Sequence, residues 1–317
     1  MTMNCQGILI QHQRVLSKYS QDYLASFASL FNFMGLNDKH PKALCFSDMI
    51  RKKHYKKVIS ASRRVDLVAF YPDYMVERLE EIGVENIHTL VIWTKNPQNI
   101  LAYSKLNHAL KKLDQVYVLL TITGLGGTPL EPNAPSTDHI FHQLPSLIDF
   151  LGSAQRLAIR YDPLIDVIYR DKVSFSNLDL SMFTDIMNRA HYSGVKRVIV
   201  SYVTLYQKVE KRLKANGFRI VEHPKEEIVD FIRNQMIPGT EELGMELSTC
   251  VLPNLTSQGC IDGRTLSLLH PLQEPCSQAR DQTQRADCHC TKSLDIGQWF
   301  ACYHDCLYCY GNPTRNS

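Results

Sequence analysis

The segment His88-Thr89-Leu90-Val91-Ile92-Trp93-Thr94-Lys95-Asn96-Pro97 runs from a short apolar stretch straight into three polar side chains and a proline. A short apolar run bounded by turn residues is the pattern of a strand buried on both faces, as in a parallel sheet. Its polar end places functional groups at the strand's C-terminal tip, where the loops of an α/β fold build their sites.

The pattern repeats on both sides of this segment. Strands are expected at 58–61, 88–93, 115–122, 157–160, 197–201 and 245–249, alternating with amphipathic stretches that read as helices. One helix ends at Gly83, and others span 98–113, 139–151, 178–191 and 205–216, the last closed by Gly217. Each strand delivers polar or reactive residues: Ser60, Arg63, Arg64 and Asp66; Thr94, Lys95 and Asn96; Thr121 and Thr123; Arg160 and Asp162; Ser201 and Tyr202; Glu246, Ser248 and Cys250. Six units rather than eight predict an α/β fold built as a partial (β/α)6 TIM-like barrel over 57–250. A helical appendage (1–56) precedes it, and a Cys-rich C-terminal segment (251–317) folds over its mouth.

At 317 residues, with 44% hydrophobic and 21% charged side chains, the chain has enough apolar material for a large core, which excludes general disorder. A net charge of +3 is too mild to imply a nucleic-acid partner. The basic run Arg51 to Lys57 reads as a solvated linker, with phosphate contact the alternative. The opening residues lack a signal-peptide pattern and no apolar run approaches ~18 residues, so a soluble cytoplasmic protein is expected, without a membrane partner.

Cysteine is the unevenly distributed residue: eight of the ten (Cys250, Cys260, Cys276, Cys288, Cys290, Cys302, Cys306, Cys309) lie near the C-terminus. In a reducing compartment clustered thiols hold metal more readily than they form disulfides. Cys302, Cys306 and Cys309 form a C-x3-C-x2-C triplet. A closed zinc site or an electron-transfer cluster wants four protein ligands, so three on one loop leave a metal corner free. Cys250, Cys260, Cys288 and Cys290 form a possible second set, for a second iron–sulfur cluster or a zinc ion. Cys5, Cys45 and Cys276 read as free thiols, and His289 and His304 as exposed loop residues.

The triplet, with Tyr308 before its last cysteine, resembles the cluster loop of radical S-adenosylmethionine (SAM) enzymes. Cys306 to Tyr310 is similar to the loop of spore photoproduct lyases. The resemblance implies a 4Fe-4S cluster on Cys302, Cys306 and Cys309, SAM bound at its open corner, an electron donor such as flavodoxin or ferredoxin, and radical chemistry on an unidentified substrate. In those enzymes the loop follows the first strand and a Gly-Gly-Glu stretch follows the second. Here the loop is C-terminal, and Trp93 to Pro97 takes the second place, with Asn96 or Thr94 to hold the SAM amino group. The stretches Ser60 to Arg64 with Asp66, Trp93 to Pro97, Arg160 to Pro163, Cys260 to Gly263 and Asp295 to Gly297 also resemble an uncharacterised, mainly bacterial family of unknown function.

SAM carries a carboxylate, a sulfonium and a ribose. Arg63, Arg64, Lys95 and Arg160 are the cationic candidates for the carboxylate; Asp66, Asp162 and Glu246 are candidates for the ribose hydroxyls or the amino group. Alternatively these arginines pair with Asp66 and Asp162 merely to brace the rim. The Gly-rich Thr123 to Gly127 reads as a flexible connection. The competing functions are a metal-stabilised redox-sensing or nucleic-acid-binding protein and a zinc-dependent hydrolase.

Overall fold

The computed structural model describes residues 55–252, 255 and 258–314. The appendage expected at 1–56 therefore falls, except for its last two residues, outside the described residues, as do most of the basic run, Cys5 and Cys45.

Strands β1 (Lys57–Ala61), β2 (Ile87–Thr94), β3 (Val116–Thr121) and β4 (Leu157–Leu164) alternate with helices α1 (Leu67–Phe70), α2 (Pro72–Ile82), α3 (Gln98–Ala102), α4 (Ser104–Leu110) and α5 (Thr137–Leu151). Then come β5 (Asp166–Tyr169), β6 (Val173–Ser176), α6 (Leu180–Tyr192), β7 (Arg197–Tyr202), α7 (Gln207–Ala215), β8 (Phe218–Ile220), α8 (Lys225–Phe231), α9 (Ile237–Glu242) and β9 (Glu246–Thr249). The C-terminal segment adds α10 (Gly263–Leu269), β10 (Leu294–Asp295), β11 (Ala301–Cys302) and β12 (Asn312–Pro313). Among the described residues no helix is long and apolar enough to cross a membrane.

Seven strands form one parallel sheet in the order β10-β1-β2-β3-β4-β7-β9. All six expected strands are present and lie side by side in chain order. β10 and β9 are its two edges, and the sheet is not closed. Sequential parallel neighbours require every crossover to run the same way, which places the connecting helices on one face. Side-chain alternation shows this directly. Ile59, Leu90, Val118, Ile159 and Val198 pack in one core with Leu67, Met75, Leu106, Leu144 and Phe183 of the helices. The opposite faces of the same strands carry Val58, Val91, Trp93, Tyr117, Leu119, Ala158 and Ile199, which pack with Cys260, Ile261, Leu266, Cys276, Cys288 and Cys290. The Cys-rich segment is thus the cover of the face that the helices leave bare.

Three features depart from the sequence reading. The helix expected at 98–113 is two helices, broken at Tyr103, whose backbone is extended (φ −87°, ψ 98°). A small antiparallel sheet, β6-β5-β8, was not foreseen, because strands of three or four residues are too short to show a period. It contributes Val167 and Phe218 to a third core with Leu125, Leu130, Val209 and Leu213, and into this core Cys306, Leu307 and Tyr308 are packed. The seventh strand, β10, pairs Leu294 and Asp295 with Ile59 and Ser60.

The tail's seat beside β1 is tight at Gly297. A Cβ built there would lie 1.9 Å from Ser62 Oγ and 2.4 Å from its Cβ, whereas one at Gly239, inside α9, would meet nothing within 4 Å. Gly297→Ala is therefore expected to cost about 1–3 kcal/mol of overpacking. Gly239→Ala should gain about 0.5–1 kcal/mol from reduced chain entropy. Urea unfolding midpoints moving in opposite directions would bear this out; equal midpoints would contradict the close approach.

Candidate metal and cofactor site

The triplet is set down on the sheet rim by a chain of specific contacts. Ile296 N donates to Ser60 O at 3.0 Å, and Asp295 accepts from Ser60 Oγ and Arg63 N, each at 3.0 Å. Tyr74 OH then donates to Ile296 O and Tyr71 OH to Ala301 O, while Phe300 packs on both tyrosine rings. β11 and β12 pair in parallel, Ala301 with Asn312 and Cys302 with Pro313, so the two ends of the triplet loop are tied together. Inside the loop, Asn133 Nδ2 donates to Tyr303 O and Asp305 Oδ2, Leu307 N to Leu130 O, and Arg212 Nη1 to Cys309 O at 2.7 Å.

The central post is Asp66. Its Oδ1 caps α1 through Ala69 N (3.0 Å); its Oδ2 accepts from Thr94 Oγ1 (2.9 Å) and Lys95 N (2.8 Å) and meets His304 Nε2 at 2.8 Å. One buried carboxylate thus joins the tips of β1 and β2 to a residue inside the triplet. His304, expected as an exposed loop residue, is only 2% exposed, because its ring packs against Phe70 and reaches this carboxylate. His289 is exposed, as expected. A second buried acid, Glu131, receives the Lys95 ammonium (2.9 Å), the Thr123 hydroxyl (2.6 Å) and the Tyr308 hydroxyl. The Gly-rich loop is no loose connection: Gly127 N donates to Glu131 O, and a Cβ on Gly126 would lie 2.0 Å from Pro135 O.

The product is a cavity of about 640 Å³ at the C-terminal tips of the parallel strands, lined by the three triplet cysteines and by Cys250, Cys260, Cys288 and Cys290. Of the residues expected to bind cofactor, Arg63, Arg64, Asp66, Thr94, Lys95, Arg160 and Asp162 line it. Asn96 does not: its carboxamide oxygen accepts from Gln98 N at 3.2 Å in a local turn. Glu246 does not either. It is the first residue of β9, exposed and level with Arg197 at the far end of the sheet.

The remaining rim candidates divide by what they face. Lys95 lies beside Cys306 and Cys309; burial works against its charge, and the Glu131 carboxylate foremost holds its pKa up. Arg63 and Arg160 both lie over Trp93, 5.1 and 4.7 Å from its ring centroid, and near the other cysteines. Asp162 accepts from Arg160 and Ser201 Oγ. Arg63 Nη2 and Arg160 Nε are buried without a hydrogen-bond partner.

Burial pushes all three triplet thiols up, Cys302 to about 12, with Lys95 pulling against this at Cys306 and Cys309. Such thiols stay protonated unless a cation displaces the proton, so only a metal makes them ligands. Cys276 is buried and free, donating to Gly263 O. Among the described residues the one group of three potential ligands within 4.8 Å of one another is Asp114, His270 and Glu274, away from the rim. There the Lys56 ammonium already bonds both acids at 3.0 Å.

Sequence reasoning missed Glu131, Asp295, Asn133 and Arg212. Asp295 alone left a trace, in the Asp295 to Gly297 stretch.

A protein-family model described as a domain of unknown function (DUF1848) matches residues 58–311. No curated protein matches the chain.

Removing the central post should be felt both in the fold and in the loop. Asp66→Ala deletes a helix cap and leaves Thr94, Lys95 N and His304 unpaired, an expected loss of about 2–4 kcal/mol. Asp66→Asn, which keeps the shape, should recover part of it. Chemical denaturation measures both; a loss below about 0.5 kcal/mol for the alanine variant would mean that the junction is not a support.

Proposed function

We propose that this chain, which belongs to the family described as a domain of unknown function (DUF1848), is an iron–sulfur enzyme of the radical SAM type. The observation that carries the reading is the division of seven cavity-lining thiols into three on one short loop and four elsewhere. Three thiolates hold a 4Fe-4S cluster and leave one iron for a ligand.

The residues present fit such a group. A tetrahedral zinc with bonds of about 2.3 Å needs sulfurs about 3.8 Å apart. No three cysteine sulfurs among the described residues come within 4.8 Å of one another, and an iron cube, which binds each thiolate through a different iron, needs wider spacing. This favours the cluster over the zinc hydrolase. Bound there with SAM, the cluster supplies the electron that splits the sulfonium into methionine and a 5′-deoxyadenosyl radical, which takes hydrogen from a substrate.

The protein's own part is to bind, orient and shield. Cys306 sits in the third core with Cys309 packed against it, and Gly311 N donates to Cys309 Sγ at 3.2 Å. Lys95, held by Glu131, puts a positive charge beside the two thiolates. Asp66 and Thr94 are positioning residues, since their polar atoms are committed to the His304 junction. Contact with SAM then falls to Arg64, whose guanidinium lines the same cavity. A flavodoxin- or ferredoxin-type donor supplies the electron.

We read the sheet as a partial (β/α)6 barrel whose order is permuted. β10 is last in sequence but first in space, and the cluster loop follows it. The strand beside it is β1, so Ser62 to Asp66, rather than Trp93 to Pro97, occupies the place next to the loop strand.

The test is anaerobic reconstitution with iron and sulfide, reduction in the presence of SAM, and a search for 5′-deoxyadenosine. Product is expected from the wild type and a loss of at least 100-fold from Cys306→Ala, the scale on which an essential ligand acts. A fully loaded wild-type protein that yields no 5′-deoxyadenosine would overturn the proposal.

A further inference from the structure

The four cysteines outside the triplet come from three separate places: Cys250 from just past β9, Cys260 from the turn before α10, Cys288 and Cys290 from the segment before β10. They nevertheless form a connected set. Electrostatically, Cys260 is perturbed by both Cys250 and Cys290, and Cys288 by Cys290, and all four line the same cavity wall. Cys260, Cys288 and Cys290 are 3, 7 and 2% exposed, in the core on the helix-free face of the sheet, whereas Cys306 and Cys309 belong to the third core.

The backbone around these sulfurs is held in place by close contacts and buried donors. A Cβ on Gly259 would lie 2.4 Å from both Cys290 N and the His289 carbonyl carbon, so only glycine lets the Cys260 and Cys290 segments meet. The buried Arg197 guanidinium clamps this turn through the carbonyls of Gly259 and Cys260, and Arg280 Nε donates to Cys288 O at 2.7 Å. Ile261 N points at Cys290 Sγ at 3.5 Å.

Two guanidiniums stand on this wall with incomplete sets of partners. Arg63 lies by Cys290 and Cys260, and Arg160 by Cys260 and Cys250. Asp295 reaches Arg63 only at 3.8 Å, and Asp162 engages Arg160 through one nitrogen. Arg63 Nη2 and Arg160 Nε remain buried and unpartnered. Asp295 and Asp162 answer the two guanidiniums in part, and four thiolates on a metal cluster add a net anion with acceptor sulfurs for the nitrogens left over. Their spacing is again wider than a tight tetrahedron, since no three of these sulfurs lie within 4.8 Å of one another.

We propose that Cys250, Cys260, Cys288 and Cys290 hold a second iron–sulfur cluster, closed by four protein thiolates and braced by Arg63 and Arg160. It shares the cavity with the triplet but is a separate site. With no open iron it is insensitive to SAM.

The full-length chain is reconstituted anaerobically in three forms: wild type, the triple variant Cys302→Ala/Cys306→Ala/Cys309→Ala, and the double variant Cys288→Ser/Cys290→Ser. Iron, zinc and acid-labile sulfide are counted per chain, and the spectra of the reduced clusters are recorded with and without SAM. About eight irons are expected in the wild type and about four in the triple variant, where SAM leaves the spectrum unchanged. The double variant should lose about four irons. A folded triple variant, judged by far-ultraviolet circular dichroism, that holds less than one iron, or one zinc in place of iron, would overturn the proposal. Should the triple variant not fold, Cys306→Ser decides in its place: it must retain at least about four irons with a SAM-insensitive spectrum, and total loss of iron overturns the second site. A wild type with only about four irons, all lost in the double variant, would instead retain this site and sink the triplet reading.

Discussion

A parallel sheet whose strands are connected in sequential order buries one face under its own helices and leaves the other bare, and everything distinctive in this molecule follows from covering that second face. Trp93, Tyr117, Leu119 and Ile199 are too apolar to face water, and at about 25 cal/mol per Å² their exposure would be a large penalty. The chain meets this with residues 258–293, whose apolar contribution is largely cysteine, isoleucine and leucine. The remainder then has to leave along the β1 edge, as β10. That route carries the triplet to the strand tips, so covering a core and delivering thiols to the rim are one structural act.

The delivery is secured by polar junctions rather than by apolar area. Asp66 and Glu131 are carboxylates 7% and 1% exposed, and each is satisfied by three or more donors from segments far apart in sequence. Buried acids with complete sets of partners fix a unique geometry, because any displacement leaves a costly unpaired group. Arg63 and Arg160 stand in contrast: each keeps a buried nitrogen without a hydrogen-bond partner. Both arginines line the cavity, so their open donors face the space that the proposed clusters occupy.

The alternation of strands and helices could be read directly, because strands buried on both faces are continuous apolar runs; five of the six lie within one residue of their observed bounds, and the fourth runs four residues further, to Leu164. The triplet and the second cysteine set were visible as spacing. The junctions were not. His304 and Asp66 are separated by 238 residues, and neither residue type says which partner it will find. β10 is two residues long and carries no period, so the sequence alone could not show that the tail joins the sheet. Glu246 was assigned to the rim because it belongs to the last strand, although it opens that strand and so lies at the other end.

The most direct measurement is anomalous diffraction at the iron absorption edge from crystals grown anaerobically with SAM. The account predicts a peak ringed by the sulfurs of Cys302, Cys306 and Cys309, with the amino and carboxylate groups of SAM on its fourth side, inside the cavity at the strand tips. A peak closed by a fourth protein ligand at that loop, or no iron there in a loaded protein, would contradict it.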